Sequence, residues 1–554
     1  MTRQPSKIDE LSNAWVVKLA ELSPSFATYA GFAGGEDKLD DNSPAAIKRY
    51  YELEKELLTK LEALEPVDAI DEVSKAALAA SLKLGIELHE TGLWKRDLDV
   101  IASPAQGIRD IFDLSPVATE ADWSNLNKRL RAVEGAIDGY IETLRAGIAD
   151  NETPAIRQVN WVVNDLNNIT GENGFFTKFA KAEGVELSDS LRADLVEASA
   201  IATAAYAKLQ NFLRDERAPV ATKEDAIGAE RYALLSQRFL GAKIDLEETY
   251  QWGLEELARV KAEQEAVANE IKPGATVAEA IEVLNNDPSR KLHSTEELQA
   301  WMQRLSDEAI EKLGATHFDI PEKLRTLECR IAPTNSGVIY YTGPTDDFSR
   351  PGRMWWSVPA GVTEFDTWRE TTTVYHEGVP GHHLQIATQV YNRGELNDWR
   401  RMANWCSGHG EGWALYAERF MNELGAFDEP GIEMGYLSAQ ALRAARIVVD
   451  IGMHLGYTDF DGNVWNAESS RKLLNEQALL DEDHSRSETD RYLGWPGQAI
   501  SYKVGERVWM KAREDAKARL GKEFSLKKFH TYALKIGPMG LDPFAIELAN
   551  WDGK

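Results

Sequence analysis

From the N-terminus to about residue 320, apolar residues return every three or four positions, the period of helices that turn one face to a core. In SPAAIKRYYELEKELLTKLEALEP, Ser43 is placed to cap a helix and Pro44 takes its first position. Ile47, Tyr50, Leu57, Leu61 and Leu64 form one stripe, and Pro66 stops it. Thr276 with Glu279, and Ser294 with Glu297, have the spacing of capping boxes. The alanine-rich LRADLVEASAIATAAYAKLQNFL predicts another helix, and residues 223–271 predict one or two more. No fixed-period repeat or low-complexity linker interrupts the pattern.

The pattern changes near residue 320. Turn residues, β-branched residues and aromatics then come in short runs, which predicts strands over Gly337–Tyr341 and Arg353–Val358. Helical spacing resumes at Glu364, runs to about residue 425, and returns over 432–455. RYLGWPGQAISYKVGERVWMKARED predicts a turn followed by a helix, and the last stretch predicts two short helices broken by GPMG. The expected fold is mainly α, with a helical lobe over 1–320 and a second lobe over 321–554 in one compact unit.

Charge narrows the partners. The 554 residues carry 62 Lys and Arg against 90 Asp and Glu, a net charge of −28. Such a surface repels phosphate backbones and anionic lipid, so neither nucleic acid nor membrane is expected to bind. MTRQPSKIDELSNAWVV has no apolar core of the signal-peptide kind, and no later run is long enough to cross a bilayer. Cys329 and Cys406 are too few for a disulfide framework. These features predict a cytoplasmic location.

Four of the ten histidines lie between 376 and 409, beside the change from strands to helix. In VYHEGVPGHHLQ, His376 can ligate a metal and the adjacent Glu377 can act as a base. The second ligand is either His382 or His383. On an unbroken helix at 100° per residue, His383 falls in line with His376. However, Pro380 between Gly378 and Gly381 predicts a kink or bulge, and with two residues looped out His382 takes the place of the second histidine of H-E-x-x-H. We favour His382. In SGHGEGWALYAERF, Glu411 and Glu418 share a helix face, Glu411 as a third ligand and Glu418 as the group that orients one. The bland alternatives are a solvated face for the two glutamates and plain packing for Cys406 and His409.

HEGVPGHHLQ, EGWALYAE and RYLGWPGQAISYKVG together resemble the bacterial family called domain of unknown function 885. Its H-E-x-x-P-G-H is matched by His376, Glu377, Pro380, Gly381 and His382, and its E-G-W-A-L-Y-x-E by Glu411 through Glu418. Its R-Y-x-x-x-P-G-Q-A-x-x-Y is matched by Arg491, Tyr492, Pro496, Gly497, Gln498, Ala499 and Tyr502. The resemblance extends over most of the chain, with a late FH…L…G stretch around His530. It implies a helical zincin-like metallopeptidase related to the gluzincins. Such a protein would have a deep cleft, a small sheet beside the metal helix, and Zn²⁺ held by His376, His382 and Glu411.

Hydrolysis of peptides would then need Glu377 as general base and a donor for the oxyanion, for which Tyr492 and Tyr502 are candidates. GRMWWSV could offer a free strand edge to a peptide, with Trp355 beside it. Arg350, Arg353, Arg491 and Lys503 could meet a substrate carboxylate, and Gln498 is a further substrate contact. The alternatives are a binding protein with a structural or vestigial metal site and a hydrolase of a non-peptide amide.

Overall fold

The computed structural model describes residues 3–333 and 339–554. The chain is mainly helical, as the apolar spacing predicts. Helix α1 (Pro44–Glu62) starts where Ser43 accepts a hydrogen bond from the Ala46 backbone, and it ends before Pro66. Helices α2 (Ala229–Leu240) and α3 (Leu246–Ile271) account for the 223–271 segment. The Thr276 capping box forms in full. The one at Ser294 forms by half: Ser294 caps the Glu297 backbone, but the Glu297 carboxylate accepts from the His293 N–H instead.

One core is built from residues between Leu98 and Leu213. A second runs from Ile8 to Trp551, and it holds Trp368, Val374, Leu384 and Trp413 around the histidine-rich segment.

The sheet near the site has three strands, β1 (Leu327–Ile331), β2 (Ile339–Thr342) and β3 (Gly352–Trp356), in the order β1-β3-β2. The strand predicted at 337–341 is observed from Ile339 onward, and residues 337 and 338 lie outside the described residues. β3 pairs in parallel with β1, Leu327 opposite Gly352, and antiparallel with β2, Ile339 opposite Trp356. GRMWW is thus the central strand, and its backbone groups are committed on both sides. The free edge expected there is absent, because pairing with Leu327–Ile331 is a non-local event that local patterning does not report. Met354 and Trp356 face the core, while Arg353 and Trp355 share the other face.

The helical run expected over 364–425 is broken into α4 (Thr367–Glu377), α5 (His382–Tyr391) and α6 (Ser407–Glu423). Then come α7 (Pro430–Leu455), α8 (Glu482–Gly494), α9 (Ser501–Leu520), and two short helices, α10 (Leu526–Lys535) and α11 (Leu541–Asn550), separated at GPMG.

Candidate metal centre

The break between α4 and α5 is made by two glycines that nothing larger can replace. A β-carbon on Gly378 would lie 2.6 Å from the Val374 carbonyl oxygen, and one on Gly381 would lie 1.9 Å from that of His376. The Gly381 N–H bonds to the Tyr375 carbonyl at 3.1 Å, and the His383 N–H to that of Gly378 at 3.1 Å, so α5 restarts at His382. The Trp413 indole on α6 donates to the Pro380 and Gly381 carbonyls at 2.9 and 3.1 Å, which ties the turn to the helix carrying Glu411 and Glu418.

This turn brings His376 and His382 together, with ring centroids 4.9 Å apart and planes at 89°. One Glu411 oxygen lies 3.4 Å from His376 Nε2 and 3.5 Å from His382 Nε2. Ligands about 2.0–2.1 Å from a tetrahedral zinc ion stand roughly 3.4 Å apart, so the spacing fits such an ion. Glu377 also brings an oxygen within 4.8 Å of both histidines. The shorter and nearly equal contacts of Glu411 make it the better third ligand and leave Glu377 beside the three.

The surroundings set the protonation of these groups. His376 Nδ1 lies 2.7 Å from Glu418 Oε1, and Thr372 Oγ1 donates to Oε2 of the same carboxylate at 2.5 Å. With its Nδ1–H given to Glu418, His376 turns Nε2 toward Glu411, and in the metal-free chain that nitrogen carries a proton which a bound metal would displace. Burial disfavours the imidazolium, but the bonds to Glu411 and Glu418 outweigh it and raise the His376 pKa to about 10. Glu411 is held well below the usual carboxylate range: burial opposes this, and the two histidines overcome it. Glu377 is raised by burial and has no hydrogen bond among the described residues. Glu418 is only 1% exposed, so it is no solvated face, and Glu411 keeps 17% of its side chain open.

His383 is occupied elsewhere. Its Nε2–H donates to the Leu324 carbonyl at 2.8 Å and its Nδ1 accepts from the Tyr341 hydroxyl at 3.0 Å. Both ring nitrogens are used, and the ring fastens α5 to the sheet side. His409 packs against Trp509 and Phe544, and Cys406 donates to the Phe239 carbonyl, in line with the packing alternative.

The third motif builds a separate polar network. Arg446 reaches Glu488 Oε2 at 2.7 Å, Arg491 reaches Glu488 Oε1 at 3.0 Å, and Arg491 also bonds Gln498 at 2.5 Å. Tyr492 is fully buried; its hydroxyl donates to Glu488 and accepts from Arg446 Nε at 3.0 Å. It has no capacity left for an oxyanion, which corrects that assignment. Tyr502 differs. It stands in the first turn of α9, its ring lies 4.7 Å below the Arg446 guanidinium, and its hydroxyl makes no hydrogen bond among the described residues. The neighbouring Ser501 bonds Ser407 at 2.8 Å, one turn before Glu411 on α6.

The chain matches the family described as "Bacterial protein of unknown function (DUF885)" over residues 24–547. It belongs to DUF885. No curated protein matches it. Two solved structures share the DUF885 chain's fold. One, from Colwellia psychrerythraea and described as a "putative lipoprotein", has 23% identity, covers 99% of each chain and has a TM-score of 0.86. The other, from Shewanella oneidensis and described as a "putative lipoprotein of unknown function", has 18% identity, covers 98% of this chain and 100% of its own, and has a TM-score of 0.75. Lipoproteins are membrane-anchored, so the cytoplasmic location expected from the sequence does not stand. Composition and cysteine count report folding chemistry, whereas a lipid anchor is an addition outside the fold and needs no spanning helix. Among the described residues no helix is long and apolar enough to cross a membrane.

Most substrate contacts expected for this DUF885 chain are spoken for. Arg353 pairs with Glu328 at 2.8 Å, and Arg350 bonds the Gly343 and Pro351 carbonyls. Lys503 is fully buried between Gln440, Glu506 and Glu256. Arg491 and Gln498 bond each other, and Trp355 donates to Thr342 at 2.9 Å. Some of the partners are neighbours in the chain, as Glu506 is of Lys503, and others are distant, as Glu328 is from Arg353 and Gln440 from Lys503. Cavities of about 440 and 630 Å³ open beside Trp94 and Trp495 and beside Arg400 and Tyr532, and a smaller one of about 200 Å³ is lined by Trp405 and Cys406. The exposed Trp405, whose ring is 6.3 Å from that of His382, borders the cluster. Sequence reasoning missed Arg443. The signal was available: ALRAARIVVD sets two arginines three apart among mostly apolar residues.

Proposed function

We propose that this protein is a zinc-dependent peptidase of zincin-like, gluzincin-related type that acts on small peptides. The observation that carries the reading is one carboxylate oxygen placed 3.4 and 3.5 Å from two imidazole nitrogens, with the unpaired, buried Glu377 next to them. His376, His382 and Glu411 would hold the ion. Bound there, zinc would lower the pKa of a water and polarise the scissile carbonyl.

The chain's own groups supply the rest. Burial keeps the Glu377 carboxyl a stronger base than an exposed one, suited to taking a proton from the attacking water and passing it to the leaving amine. Glu418 holds His376 in one tautomer and one orientation. The free Tyr502 hydroxyl is the remaining candidate donor to the oxyanion. A purely structural site has no use for an uncommitted carboxylate beside its ligands, and this favours catalysis over a vestigial centre.

The test is digestion of an unstructured peptide pool by the zinc-loaded chain, read by mass spectrometry, alongside Glu377→Gln. The variant should keep its metal and lose about 10²–10⁴ in rate. Full activity in the variant would remove Glu377 from the mechanism, and hydrolysis of other amides but not peptides would change the substrate class.

A further inference from the structure

We infer that Arg443 forms a carboxylate-binding subsite beside the metal centre, and that the substrates are peptides cleaved close to a free C-terminal carboxylate. The inference rests on the peptidase reading and says which end of the peptide is held.

Helix packing places the residue. Thr372 meets Glu418 and His376 meets Glu411, so α4 and α6 run in opposite directions. After the short connection from Leu424 to Glu429, α7 returns along α4, with Gly435 pressed on Trp368 so tightly that a β-carbon would lie 2.1 Å from the Trp368 carbonyl oxygen. Eight residues further along each helix stand Arg443 and His376. The positive charge of Arg443 is felt by both Glu377 and Glu418, in agreement with that register.

What Arg443 lacks is a partner. Among the described residues no carboxylate lies within 4.0 Å of it, and its one hydrogen bond is from Nη1 to the Ala439 carbonyl of its own helix at 3.3 Å. Its Nε is buried with no acceptor. Arg446, one turn on, is locked to Glu488. The other cations expected near the substrate are all committed. A guanidinium offers five donors and costs free energy when they are left dry. In a chain of net charge −28, where acidic partners abound, an uncommitted arginine beside the candidate ligands suits an anion that arrives from outside. A terminal carboxylate has the planar, bidentate shape that a guanidinium matches.

The test compares an unstructured peptide with the same peptide amidated at its C-terminus, on the zinc-loaded full chain. The expected result is a preference for the free acid of about 10–100-fold in kcat/KM, carried mainly by KM. Arg443→Met should bring that ratio close to one with metal content retained, and Arg443→Lys should recover part of it. Binding of the two peptides to Glu377→Gln, which does not depend on turnover, should show the same order. Equal handling of acid and amide by the parent chain would overturn the inference. So would a ratio that Arg443→Met leaves intact, with Arg443 then a counter-charge to Glu377 and Glu418 only. Failure of the peptidase reading looks different: no cleavage of either peptide, with the binding comparison still deciding the subsite.

Discussion

Replacing Glu418 by Gln probes how the proposed centre is held. The carboxylate is 1% exposed and accepts two bonds, from His376 Nδ1 at 2.7 Å and from Thr372 Oγ1 at 2.5 Å. A glutamine oxygen can still accept from His376, and Thr372 can turn from donor to acceptor toward the new amide. The shape survives and the charge is lost. Removing an outer carboxylate from a ligating histidine costs about 10–100-fold in metal affinity, or roughly 1.4–2.7 kcal/mol. Glu418 also favours a proton on His376, which the metal must displace, but it attracts a dication about twice as strongly as a single charge, so a net loss remains. The assay is titration of metal-free protein with zinc against a chromophoric chelator near neutral pH. Glu423→Gln, on the same helix but paired with Arg513 at a more exposed position, is the control and should change nothing. An unchanged or tighter affinity in Glu418→Gln would refute the role of this carboxylate.

Three further outcomes follow from the same geometry. Tyr492→Phe should lower stability by about 1–3 kcal/mol in chemical denaturation, because it strips a hydrogen bond from the half-buried Glu488 and the buried Arg446. Tyr502→Phe should leave the melting temperature unchanged and lower kcat by about 10²–10³. Acid should destabilise the fold through His454 and His530, whose pKa values burial lowers to about 4 and about 3. Both histidines stay neutral in the native chain while the unfolded chain takes up protons below its ordinary pKa near 6.5, so stability present above that pH is lost as pH falls toward 4. At pH near 5 the pair contributes a slope of about 2.5 kcal/mol per pH unit. His530→Phe, which keeps a ring against Phe318, should remove about 1.3 kcal/mol per pH unit from the slope measured near pH 5.

The parts of this molecule that depend on neighbours in the chain were legible. The stripe from Ile47 to Leu64 with its Ser43 cap forms as read. So does the break at Gly378–Gly381, because Pro and Gly carry their conformational rules with them. What failed depended on distant partners. The wheel favoured His383, but Leu324 and Tyr341, from other elements, claim both of its nitrogens. Lys503 and Tyr492 stand in a motif that looks chemical, yet Gln440 and Arg446, both from α7, claim them through hydrogen bonds. GRMWW reads the same at an edge or in the centre of a sheet, and only the pairing with Leu327–Ile331 decides. Arg443 was passed over for the opposite reason: its interest lies in the partner it lacks.

The account stands or falls on whether His376, His382 and Glu411 share one ion. Diffraction from crystals grown with zinc, measured at the zinc absorption edge, tests this directly. A single anomalous peak about 2.0–2.2 Å from His376 Nε2, His382 Nε2 and a Glu411 oxygen is predicted. No peak at that point, or zinc bound by other residues with the two rings turned apart, would contradict the claim.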